Sequence, residues 1–190
     1  MPLTDVLRYT IGAIATVLLI WAAVSDVRAR RIPNLCVLAL IVLFVPWALM
    51  GDLSDALSAG EAAGIVLVVT VILYMLKILG AGDSKLLTAC ALYAGMGYLP
   101  FLGLATVLAG GMIAGISLAS RPQRALAMFT LRGKGEYGRG VPYGVAVAVG
   151  AALAIWGSLT GVLNPYGYGG PPPVTGHTIA RALSMPRTTP

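Results

Sequence analysis

Residues 86–120 read LLTACALYAGMGYLPFLGLATVLAGGMIAGISLAS, 35 consecutive positions without an Asp, Glu, Lys or Arg. As one α-helix this run would measure about 52 Å, well beyond a hydrocarbon core of about 30 Å. The Gly95-Met96-Gly97-Tyr98-Leu99-Pro100 segment carries a turn signal, so the run predicts two short membrane helices joined there. Four further uncharged stretches point the same way. They are residues 9–25, about 25 Å of helix, residues 32–51, residues 62–76 with an extension past Lys77 to Leu79, and a last span from about Pro142 to Leu163. The sum is an all-α polytopic membrane protein with six transmembrane helices in residues 1–163. Residues 164–190 open NPYGYGGPPPVTGH, cannot build a core, and are expected to form a disordered tail.

Composition agrees. Of the 190 residues, 58% are hydrophobic and only 11% are charged, against about 25% charged in soluble domains. A chain this short cannot hide so much apolar surface from water. The first apolar run lacks the exit of a cleavable signal peptide. Cys36 and Cys90 lie in apolar stretches without CxxC spacing, and His177 is the single histidine. These exclude a zinc ribbon, a disulfide framework and HExxH chemistry, so no metal or cofactor is expected. The net charge of +6 reports topology rather than nucleic-acid binding. Ten Lys/Arg residues, Arg28, Arg30, Arg31, Lys77, Lys85, Arg121, Arg124, Arg132, Lys134 and Arg139, fall on one side, and Arg8, Arg181 and Arg187 on the other. The richer side is cytoplasmic by the positive-inside rule, which puts both termini and the acidic loop Asp52 to Glu61 outside. Gly60/Gly64 and Gly111/Gly115 have GxxxG spacing, read here as packing within the bundle.

Two carboxylates stand out. Asp26 closes the first span, in Ser25-Asp26-Val27-Arg28-Ala29-Arg30-Arg31-Ile32-Pro33-Asn34, and Asp83 opens the fourth, in Gly80-Ala81-Gly82-Asp83-Ser84-Lys85. Both sit where a span meets the cytoplasmic face, and ionisable groups there mark function by default. Two nearby carboxylates can share one proton, one acting as base on a water while the other hydrogen-bonds a carbonyl. Glycines before Asp83 admit a substrate backbone and allow sharp bends. Two other readings stand beside this one: helix-end electrostatics, with Asp26 paired to Arg30 and Asp83 as an N-cap, and an ion or proton pathway. Glu136 reads as a loop charge.

Three segments in this order, Asp26 to Asn34, Gly80 to Lys85, and Val141-Pro142-Tyr143-Gly144, resemble the type IV prepilin peptidases, intramembrane aspartic proteases of the GxGD class. The chain is most similar to the short members that serve tight-adherence (Flp) pili, over roughly residues 10–163. The resemblance implies Asp26 and Asp83 as catalytic aspartates. It implies supporting roles for Gly80, Gly82, Lys85, Pro33, Asn34, Pro142, Tyr143 and Gly144. It also implies prepilins as substrates cut after a glycine at the cytoplasmic face of a bacterial inner membrane, with the bilayer and the pilus assembly machinery as further partners. Larger members carry a cytoplasmic CxxC zinc insertion and methylate the new N-terminus. The first cytoplasmic loop here has about eight residues and no Cys, so methylation is not expected. The rivals are a small ion transporter or channel using Asp26 and Asp83 as ligands, and an inactive membrane scaffold.

Overall fold

The computed structural model describes residues 3–120 and 143–160. They form five helices: α1 (Leu3–Ala29), α2 (Asn34–Leu49), α3 (Leu53–Met75), α4 (Ala81–Ser120) and α5 (Tyr143–Thr160). Four are long and apolar enough to cross a membrane, and α2 is a shorter apolar helix of 16 residues. Helices are the natural solution for such a sequence, because each satisfies its own backbone polar groups where water is absent.

The expected six helices become five elements. In α4 the break is confined to Gly95 (φ 56°, ψ −177°), and Pro100 lies inside the helix. No six-residue turn is needed because one glycine adopts a conformation that other residues avoid. The chain doubles back at this point. Gly82 meets Ile32 near Asp26, and Gly110 meets Tyr143, next to the Gly144 that is bonded to Asp26. A straight helix would hold residues 82 and 110 about 42 Å apart. The two arms, 81–94 and 96–120, therefore both reach the same end of the bundle. The Ser58 hydroxyl of α3 accepts the Met96 N–H at 3.0 Å and so caps the second arm.

Charge-free runs under-measure the helices. α1 has 27 residues and carries Asp26 in its last turns, so the expected short first span is corrected: polar residues ride on the helix ends. Likewise Asp55 and Glu61 belong to α3, which begins at Leu53, rather than to an outer loop. Pro33 and Asn34 do start α2, with Pro33 extended (φ −62°, ψ 128°) at the N-cap.

α1 and α3 end on basic residues in the left-handed region. Arg30 (φ 54°) donates its N–H to Asp26 O. Lys77 (φ 58°) donates to Tyr74 O, and Ile78 donates to Leu73 O. This is the Schellman pattern with Lys in place of Gly, and its positive charge suits a helix C-terminus.

The core is built from Leu19, Leu40, Leu86, Leu102 and Ile155, all fully buried. Tyr93 joins it, donating to Leu40 O at 2.6 Å and meeting Phe44 and Trp47 edge-on. Many large apolar side chains, Val17, Leu38, Val68 and Leu108 among them, face outward, as a lipid-facing surface requires. The GxxxG reading is overturned. A Cβ on Gly60, Gly64, Gly111 or Gly115 would meet nothing within 4 Å. Spacing shows that four glycines share helix faces, but not that those faces point inward. The close approaches between helices are at Gly12, Gly110, Gly144 and Gly150. At Gly150 the Thr106 hydroxyl of α4 fills the Cβ position, with the Thr106 N and Cα 2.9 and 3.1 Å from it, so α4 and α5 approach closely.

Candidate functional site

Three helix ends and one loop converge at the end of the bundle where α1 stops and α4 and α5 start. The first N–H groups of a helix have no partner within it. At α5 one of them, the Gly144 N–H, is met by Asp26 Oδ2 at 2.9 Å. Asp26 is 8% exposed. Its carboxylate thus lies at the positive end of the α5 dipole, although its own helix ends beside it. A Cβ on Gly144 would stand 2.9 Å from Asp26 Oδ2 and 3.1 Å from both its Cβ and Cγ. Only glycine leaves room for this bond.

Asp83 is the third residue of α4, not the N-cap expected under helix-end electrostatics. The turn starts at Gly80, whose carbonyl accepts the Ser84 N–H at 3.0 Å. The Asp83 carboxylate reaches back to accept the Gly80 N–H, half of a capping box. A Cβ on Gly80 would lie 3.0 Å from Asp83 Oδ2. Ser84 is buried, and its hydroxyl donates to Gly80 O at 3.0 Å and approaches Thr70 O of α3 at 3.4 Å, tying the turn to α3. Gly82 faces Ile32, whose Cβ would be 3.4 Å from a Cβ there. The α1–α2 loop therefore lies on the start of α4. It is closed by a bond from Ser25 Oγ to Arg31 O, 2.9 Å. Asp26 and Asp83 are near enough for their charges to interact.

The structure brings Asp26, Gly80, Gly82, Asp83 and Gly144 together. Pro33 and Asn34 act at one remove, by setting where the Ile32 loop enters α2. Tyr143 is half-buried with its ring against Gly110 in the second arm of α4. Lys85 is exposed in the first turns of α4. Pro142 and Glu136 lie outside the described residues. Ile32, Thr70 and Gly110 were not legible as site neighbours. Ile32 had a signal in its position between Asp26 and Pro33, but Thr70 and Gly110 had none.

Among the described residues no group of three His, Cys, Asp or Glu side chains could hold a metal. Cys36 and Cys90 are buried free thiols within α2 and α4. The chemistry on offer is that of two interacting carboxylates, one buried and one half-exposed, beside glycines that leave space. A sequence model of the type IV leader peptidase family matches residues 13–115. Comparisons with curated proteins and with solved structures gave no match.

Proposed function

The chain belongs to the type IV leader peptidase family, and we propose that it is an aspartic endopeptidase that removes the short basic leader from Flp-type prepilins at the cytoplasmic face of a bacterial inner membrane. The observation that carries this reading is the convergence of Asp26 and Asp83 with Gly144 and the Gly80–Gly82 turn at one end of the bundle. In the reaction the ionised member of the pair takes a proton from water, and the water oxygen bonds to the scissile carbonyl carbon. The protonated member hydrogen-bonds the carbonyl oxygen. Collapse of the tetrahedral species breaks the C–N bond, and a proton passes to the leaving amine. No cofactor enters, and N-methylation is not part of the activity. The Arg28, Arg30, Arg31 and Lys85 face is the cytoplasmic one.

The test is the purified full-length protein in detergent with a synthetic Flp prepilin, the leader-free product being read by mass. Cleavage after the glycine is expected, and the same product from folded Asp26→Asn or Asp83→Asn protein would assign the chemistry elsewhere. An ion channel or a scaffold would give no product at all.

A further inference from the structure

The opposite end of the bundle holds a cavity of about 420 Å³ that the proposed leader cleavage does not use; its walls come from the starts of α1 and α3, the end of α2 and the Gly95 bend. Arg8 is its polar centre. Its Nη2 donates to Met50 O at 2.9 Å, while Nε is shut away from solvent and has no hydrogen-bond partner among the described residues. A buried donor left unmet is costly, and a guanidinium is shaped to meet a phosphate or carboxylate. Two carboxylates, Asp5 and Asp55, line the same cavity. Asp55 Oδ2 and Arg8 Nη2 flank Gly51, lying 3.1 and 3.3 Å from the place its Cβ would take. One cation and two anions disfavour a simple anion and a simple cation alike. They suit a ligand that carries an anionic oxygen and a hydrogen-bonding ammonium side by side.

A second feature says where such a ligand comes from. A shallow apolar groove formed by Val6, Tyr9, Thr10, Ala13 and Trp156 runs over the outer surface between α1 and α5. Tyr9 borders both the groove and the cavity. The Trp156 ring stands 6.3 Å from that of Tyr9 and is fixed by its N–H bond to Thr16 Oγ1, 3.0 Å. A soluble zwitterion has no use for an apolar groove, whereas an acyl chain does.

We propose that this end of the molecule binds a phospholipid with a phosphate and a primary ammonium in its headgroup, an ethanolamine phospholipid. It is drawn from the leaflet opposite the aspartates. The phosphate meets the Arg8 guanidinium where that residue lines the cavity, the ammonium meets Asp5 and Asp55, and one acyl chain lies along the Val6–Trp156 groove. A quaternary ammonium cannot donate hydrogen bonds to the two carboxylates, so choline lipids bind less well.

The experiment is native mass spectrometry of the full chain in detergent, titrated with ethanolamine, choline and glycerol phospholipids of identical acyl chains, and with glycerophosphoethanolamine as the free headgroup. Preferred retention of one ethanolamine lipid is expected, and Arg8→Gln should weaken it by about tenfold. Asp55→Asn should erase the preference over choline, and Ala13→Trp should weaken binding by filling the groove while Arg8 stays intact. Equal retention of all three lipids would overturn the proposal. So would headgroup binding as tight as the lipid's, or wild-type retention in the Asp55→Asn and Ala13→Trp proteins.

Discussion

Adding one methyl group at Gly144 tests the site more sharply than removing either acid. In Gly144→Ala the new Cβ would fall 2.9 Å from Asp26 Oδ2 and 3.1 Å from two carbons of the same side chain. Asp26 is buried, and Gly150, a little further along α5, already rests on the Thr106 backbone, so α5 has little freedom to withdraw. The carboxylate must move instead. Overpacking of this kind costs about 1–3 kcal/mol. Lengthening a charge-assisted N–H bond removes part of a contribution of about 1.5–3 kcal/mol. The protein should stay folded but melt lower. Because displacement of a catalytic group by about 1 Å can cost on the order of 10²-fold in rate, kcat for prepilin cleavage should fall by about that factor with KM little changed. Gly64→Ala is the control, since its Cβ meets nothing within 4 Å. Wild-type turnover by Gly144→Ala, in protein shown to be folded, would refute the positioning of Asp26 by α5.

Asp26→Asn and Asp83→Asn should each reduce cleavage by at least about 10²–10⁴-fold, the usual range for a general acid or base, while the helical circular-dichroism signal is kept. Chelators, serine-directed reagents and thiol-directed reagents should leave cleavage intact; loss in EDTA with recovery on adding zinc would contradict the two-carboxylate chemistry. Single cysteines at positions 30 and 136 should label from the cytoplasm and one at position 56 from outside, and external labelling of position 136 would invert the proposed orientation. Ser58→Ala should lower stability by about 1 kcal/mol, read as a lower melting temperature, because it removes the acceptor for the Met96 N–H at the Gly95 bend.

The existence and order of the membrane helices were legible because lipid leaves the sequence little choice: uncharged runs of sufficient length must be helices. Their ends were not. α1 continues through Asp26 and Arg28, and α3 takes in Asp55 and Glu61, because a helix end tolerates charge where it leaves the hydrocarbon. The bend at Gly95 was legible as a position but not as a single residue. Faces were hidden as well. GxxxG spacing drew attention to Gly60, Gly64, Gly111 and Gly115, which touch nothing, while Gly144 and Gly150, which touch backbone or carboxylate, have no such pattern. At the site, the two aspartates and their glycines could be picked out by residue type and place. That Gly144 supplies a donor to Asp26 could not, since the donor is a backbone amide that every residue but proline possesses.

This explains how the site is built. The two carboxylates are held in different ways. Asp83 is held within its own turn, by the amide of Gly80 three residues earlier in the chain. Asp26 is held from another helix, through a bond 118 residues distant in sequence. The start of α5 is itself set by Tyr143 against Gly110, on the arm of α4 that returns from the bend. That bend is fixed at the far end of the bundle, where Ser58 caps Met96. Asp26 and Asp83 therefore belong to one folded-back element at one remove: the first arm of α4 carries Asp83, and the second arm sets the helix whose amide holds Asp26. A change in the angle at Gly95 would move the two acids relative to each other, with no side chain in the site altered. Gly95 has φ 56°, and a Cβ there would lie 3.3 Å from Ser58 Oγ. Glycine at this bend thus matters to the geometry of the carboxylate pair as directly as the glycines that touch the carboxylates.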